Sequence, residues 1–84
     1  MLSILRGRIL GNEFSDRMTL RGNFARNLRN TRVARGLSQE ALADKADLDR
    51  TYISALEREL YSATLDTIER LASALGVAPA ELLI

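Results

Sequence analysis

The chain has 84 residues, 46% of them apolar and 27% charged, with five glycines, one proline, no cysteine, no histidine and a formal net charge of +1. A chain of this length forms one domain around a small core, and its ordinary composition excludes a disordered or low-complexity chain. Without cysteine there are no disulfides or thiolate zinc sites, and without histidine the commonest general base and metal ligand are missing, so neither a metal site nor catalytic residues are expected.

Residues 1–18 stand apart from the rest. Leu2, Ile4, Leu5, Ile9 and Leu10 form an apolar stretch that Gly7, Gly11 and Asn12 break and that carries Arg6 and Arg8. This makes a poor signal peptide, and no apolar run approaches the ~18 residues of a membrane span, so a cytoplasmic binding module is expected. Either residues 1–18 are an N-terminal arm that packs on this domain or on a partner, through residues such as Leu2, Ile4, Leu5, Ile9 and Phe14, or translation starts at Met18.

Residues 19–84 read as five short helices, all-α. The first runs from about Leu20 to Arg35, with Phe24, Leu28 and Thr31 on one face and Gly36 as its stop. Ser38 caps a second helix, Gln39 to Ala46, with Glu40 in its first turn. Asp49 caps a third, Arg50 to about Arg58, whose apolar positions are Ile53 and Leu56. Thr64 caps a fourth, with a buried stripe of Leu65, Ile68, Leu71, Ala72 and Leu75, and Gly76 stops it. Pro79 opens a fifth.

Helices two and three, joined by a three-residue turn, meet the demands of a DNA-binding helix-turn-helix. Close crossing needs a small residue, and Ala43 supplies it. The turn needs a residue that tolerates a left-handed backbone; Asp47 is an acceptable substitute for Gly. Leu48 is then the buried apolar residue, and Ile53 and Leu56 dock the second helix, with Leu42 packing from the first.

On these residues the chain resembles the XRE family of repressors, relatives of the lambda repressor and Cro. Residues 36–43, Gly-Leu-Ser-Gln-Glu-Ala-Leu-Ala, are similar to the family signature, and residues 65–77 look like its fourth helix. The segment Leu48 to Ser54, with Glu57 and Arg58, resembles the recognition segment of restriction–modification controller proteins. The resemblance covers residues 20–84 and implies a five-helix lambda-repressor-like domain that binds double-stranded DNA.

It also implies roles. Gln39 would donate to a phosphate. Arg50, Thr51 and Tyr52 open the helix that enters the major groove, where Arg50 can fork to guanine O6 and N7 and Thr51 can meet a thymine methyl or a base edge. Tyr52 and Ser54 would reach phosphate or sugar, and Arg58 the backbone. Arg32 is expected to brace the fold through an acid such as Glu57 rather than touch DNA, and Lys45 is as well explained by solvation. Four departures stand out. Glu59 replaces the family's usual Gly, and Leu60–Tyr61 replaces a loop that often carries a basic residue, so Tyr61 is expected to pack rather than contact DNA. Thr31 stands where Leu is usual, so its hydroxyl needs a local backbone acceptor. Ala78 replaces a common capping Ser, which weakens the start of the last helix.

The net charge conceals a division. Residues 1–35 hold eight Arg against Glu13 and Asp16, a net of +6, while residues 36–84 hold four basic residues against nine acids, a net of −5. Affinity must then come from a few placed groups, helped by the Arg-rich first helix if that helix faces DNA, with a shallow salt dependence.

One recognition helix reads only a few base pairs, so a homodimer on a palindromic operator is expected. Its interface is assigned to Val77, Leu82, Leu83 and Ile84. The leading function is a sequence-specific transcriptional regulator, in the manner of a controller-type autoregulator. The alternative is an antitoxin-like module whose main target is a protein partner. No phosphate-cradling Gly-rich loop is present and no cofactor is expected.

Overall fold

The computed structural model describes residues 19–84, and the arm assigned to residues 1–18 lies outside the described residues. Four α-helices follow in order: α1 (Leu20–Ala34), α2 (Gln39–Ala46), α3 (Arg50–Glu57) and α4 (Leu65–Leu75). The expected fifth helix is a single 3₁₀ turn, Pro79–Leu82. Glu81 donates to the Ala78 carbonyl at 2.9 Å and Leu83 to the Ala80 carbonyl at 3.0 Å, each three residues back, the tighter pattern of a 3₁₀ turn. Among the described residues no helix is long and apolar enough to cross a membrane.

Each α-helix starts on a side-chain cap. Thr19 accepts from the Gly22 N–H at 3.0 Å, Ser38 from Ala41 at 3.0 Å, Asp49 from Thr51 at 3.2 Å and Thr64 from Thr67 at 3.1 Å. These caps satisfy donors that the helix itself leaves unpaired. Ala78 has no such oxygen. Instead the Glu81 carboxylate accepts from the Ala78 N–H at 3.1 Å, so half of a capping box holds the last turn.

All four helices also end alike. Gly36, Asp47, Glu59 and Gly76 adopt left-handed backbones, with φ of 72°, 58°, 62° and 73°. The next residue in each case is apolar and donates back into the last turn: Leu37 to Arg32, Leu48 to Ala43, Leu60 to Ala55 and Val77 to Ala72, at 2.8–3.1 Å. This is the Schellman closure, which pairs the exposed carbonyls and turns the chain sharply. Glycine adopts that backbone without strain, whereas Asp47 and Glu59 must overcome Cβ crowding.

The core gathers Phe24 and Leu28 from α1, Leu42, Ala43 and Ala46 from α2, Ile53 and Leu56 from α3, and Ile68, Leu71, Ala72 and Leu75 from α4. Leu82 closes it from the 3₁₀ turn with no accessible surface. Burying each of the large residues is worth about 1.5–3 kcal/mol.

Polar ties fix the perimeter. Arg35 Nε donates to the Leu75 carbonyl at 2.8 Å, Arg70 Nη1 to the Asp47 carbonyl at 3.1 Å, and Asn27 Nδ2 to the carbonyls of Leu82 and Ile84, both at 3.1 Å.

The packing corrects four sequence-based expectations. Leu65 stands in the first turn of α4, ahead of the point where that helix meets the core, and is 78% exposed rather than buried. Leu48 is only half-buried, at the core's edge. Tyr61 is 60% exposed, because the α3–α4 loop carries it outward. Leu82 is a core residue of the monomer and has no surface to offer an interface.

Candidate nucleic-acid interface

The helix-turn-helix occupies α2, the turn Asp47–Leu48–Asp49 and α3. One side of α3 is committed to the core through Ile53 and Leu56, with Ala55 also buried. At 3.6 residues per turn, Arg50, Thr51, Ser54 and Arg58 fall on the opposite side, within an arc of about 100°. Arg50, Thr51 and Arg58 are exposed and Ser54 is half-buried. The side chains of these four residues form no hydrogen bond or ion pair with the described residues, so their donors remain available.

Tyr52 does not join that arc. It lies on the flank of α3, half-buried against the core, with its ring centroid 6.4 Å from that of Tyr61. Of the two rings, Tyr52 packs more and Tyr61 less than the sequence led us to expect.

Gln39, the first residue of α2, is half-buried beside the end of α3. Its Nε2 donates to Glu57 Oε1 at 3.1 Å. The same carboxylate receives Arg32 as a fork, Nε to Oε2 at 2.7 Å and Nη2 to Oε1 at 3.1 Å. Arg32 Nη1 donates further to the Leu37 carbonyl at 2.9 Å. The brace expected between Arg32 and Glu57 is therefore present, in the bidentate form that guanidinium and carboxylate planes favour. Its reach to Gln39 was not foreseen.

The arginines of α1 and Arg35, the residue that caps its C-terminus, are largely occupied within the domain. Arg21 donates to Ser62 at 3.1 Å, Arg26 to Asn23 at 2.8 Å, Arg32 to Glu57 and Leu37, and Arg35 to Leu75. Arg29 is the one arginine of α1 with no partner among the described residues. The basic run in the first helix thus serves mainly to tie α1 to the loop after α3, to the helix-turn-helix and to the end of α4. Residues 19–84 hold nine basic and nine acidic residues, so the described domain carries no net charge. Recognition has to rest on position rather than on a broad basic face.

The departure at Glu59 is resolved by the backbone. Glu59 takes the left-handed position that ends α3, and its carboxylate reaches to 3.6 Å from where a side chain at position 22 would begin. α1 has no acid in its own first turn. An anion from the neighbouring loop therefore stands at the positive end of α1. A sequence signal for this turn did exist: Glu59–Leu60 repeats the pattern of Gly36–Leu37, Asp47–Leu48 and Gly76–Val77, a helix end followed by an apolar residue.

A helix-turn-helix family model matches residues 28–82. A hypothetical transcription factor from Neisseria meningitidis serogroup B is 49% identical over 72 residues, spanning 86% of this chain and 68% of that protein. The fold is shared with the restriction–modification controller protein C.AhdI from Aeromonas hydrophila, at a TM-score of 0.72 and 44% identity over 74% of this chain and 94% of that one. It is also shared with the controller protein C.Esp1396I, solved as a tetramer with its natural 35-base-pair operator, at a TM-score of 0.71 and 33% identity over 76% and 84% of the two chains.

Proposed function

The chain belongs to the helix-turn-helix family of XRE type, and from that membership we propose that it is a sequence-specific DNA-binding transcriptional regulator of the controller kind, acting as a homodimer on a palindromic operator. The observation that carries this reading is the exposed arc of α3, where Arg50, Thr51, Ser54 and Arg58 present unengaged side chains from a helix whose other side is locked into the core. Arg50 and Thr51, at the start of α3, are the base-reading pair. Ser54 and Arg58 are phosphate and sugar contacts, Gln39 donates to a phosphate from the start of α2, and Tyr52 supports the α3–α4 loop and meets the backbone from the flank. The role is regulatory binding rather than catalysis.

Two copies must present their α3 helices about 34 Å apart to read successive major grooves. The apolar surface suited to this lies at the end of the chain. Ile84 is 81% exposed, Leu83 and Val77 are half-buried, and Leu83 borders a cleft with Leu20, Phe24, Ala63, Leu65 and Ile68. Leu83, Ile84 and Val77, joined by Leu20 and Leu65, form the dimer face. The test is selection of bound duplexes from a random DNA pool with the purified protein. A two-fold symmetric motif is expected, and a matching sequence upstream of the protein's own gene would establish autoregulation. Equal binding to selected and scrambled duplexes would overturn the reading in favour of a protein target.

A further inference from the structure

The Glu57 carboxylate is 4% exposed, yet it sits where two elements of the DNA-facing surface meet. Four parts of the chain converge on it and its partner: Arg32 from α1, the Leu37 carbonyl just before α2, Gln39 at the first position of α2, and Glu57 itself at the last position of α3. A brace needed only to hold α1 to α3 would be complete with the Arg32 fork. The additional bond from Gln39 fixes a side chain that would otherwise rotate freely at the surface.

We propose that Glu57 is a positioning residue for phosphate recognition, holding the Gln39 carboxamide so that its second N–H is directed at the DNA backbone. The amide nitrogen carries two N–H donors. One is spent on Glu57 Oε1, and the other has no partner among the described residues. A glutamine ordered before binding loses less side-chain freedom on contact, and the ordering is supplied by folding rather than by the DNA. The charge of Glu57 does not oppose the phosphate, because Arg32 is paired with it along both oxygens. Because Leu37 is held by the same guanidinium, the start of α2 and the end of α3 are fixed to each other, and so the phosphate donor is fixed to the recognition helix.

This inference rests on the DNA-binding reading above, and its test separates the two. Replacing the buried pair together, Arg32→Met with Glu57→Met, removes the charges as a unit and avoids leaving one of them uncompensated. Arg32→Met with Glu57→Gln also removes both charges but keeps an oxygen that can accept from Gln39. Binding to the selected operator is measured for each pair, in the parent and in a Gln39→Ala background, with urea unfolding to establish that each variant is folded. The Met pair is expected to bind about tenfold more weakly than the Gln-containing pair, a factor at the upper end for one neutral hydrogen bond. That difference should vanish in the Gln39→Ala background. The loss should be uniform across operator variants and leave the salt slope unchanged, since a neutral amide releases no counterion. Equal losses with and without Gln39, or no loss on Gln39→Ala itself, would overturn the positioning role while the regulator reading stands. If the parent selects no operator, both fall. If the Met pair does not fold, Glu57→Asp, which keeps the charge for Arg32 and draws the acceptor back from Gln39, is read by the same comparison.

Discussion

Asn27, in the middle of α1, donates its side-chain amide to the carbonyls of Leu82 and Ile84, both at 3.1 Å. Fifty-five and fifty-seven positions separate these partners in sequence. Both N–H groups of one amide are thereby used to hold the end of the chain across α1. Asn23 adds a longer bond to the Leu83 carbonyl at 3.4 Å. The apolar side chains of Leu83 and Ile84 are thus presented from a backbone that α1 fixes.

Asn27→Ala should therefore weaken two properties together. Two carbonyls lose their donor, at a cost of about 1–3 kcal/mol to folding if water replaces it poorly. The dimer should also dissociate at lower dilution, because Leu83 and Ile84 lose their fixed presentation. Urea unfolding and analytical ultracentrifugation measure the two effects, and a destabilised variant with unaltered self-association would detach the amide from the dimer face.

Leu82 and Ile84 should behave oppositely although only two positions apart. Leu82 has no exposed surface, so Leu82→Ala leaves a cavity and should cost about 2–5 kcal/mol in unfolding. Ile84 is 81% exposed, so Ile84→Glu should leave monomer stability within about 0.5 kcal/mol while shifting the association equilibrium toward monomer. An Ile84→Glu protein that sediments as the parent does would remove this residue from the interface.

At Glu59 two effects oppose one another. Glu59→Gly relieves a left-handed backbone, worth about 1–2 kcal/mol, less about 0.4–1 kcal/mol for the greater freedom of glycine in the unfolded chain. It also removes the carboxylate from the start of α1, a loss of about 0.3–1 kcal/mol at low ionic strength. The substitution should thus be near neutral at low salt and stabilising by about 0.5–1 kcal/mol at high salt, where the dipole interaction is screened. Unfolding curves at two salt concentrations check this, and a salt-independent difference would mean that the carboxylate does not act on α1.

Arg50 and Arg58 should differ in kind. Arg50→Ala should cost about 1–3 kcal/mol on the selected operator and relax the preference at one position of each half-site. Arg58→Ala should weaken all sequences alike and reduce the salt slope by about 0.9 per monomer. Titrations on the operator and on single-base variants at several salt concentrations distinguish them, and loss of preference on Arg58→Ala would reverse the two assignments.

The residues that make each helix were legible because local chemistry dictates them. Thr19 aside, every cap that the structure uses stands directly ahead of a periodic apolar run, and Gly36, Asp47 and Gly76 mark the ends. The Arg32–Glu57 brace was also foreseen, from the resemblance. What could not be read is where Arg21, Arg35, Asn23 and Asn27 are directed. Their partners are carbonyls and a hydroxyl at Leu75, Leu82, Leu83, Ile84 and Ser62, and such partners leave no mark in composition or spacing. Leu65 and Leu82 were misplaced for one reason. Both belong to apolar runs at the margin of the core, where periodicity identifies a face but not how far along the helix the neighbouring elements reach.

The balance of nine basic against nine acidic residues between positions 19 and 84 bears on how such a protein finds its target. A neutral domain gains little long-range attraction to a polyanion, so its encounter rate with an operator should lie near the unsteered 10⁵–10⁶ M⁻¹s⁻¹, about three orders of magnitude below strongly steered pairs. Bulk chromosomal DNA would likewise retain little of it. Most molecules would then diffuse freely between encounters, and operator occupancy would track the amount of protein made rather than the amount of DNA competing for it.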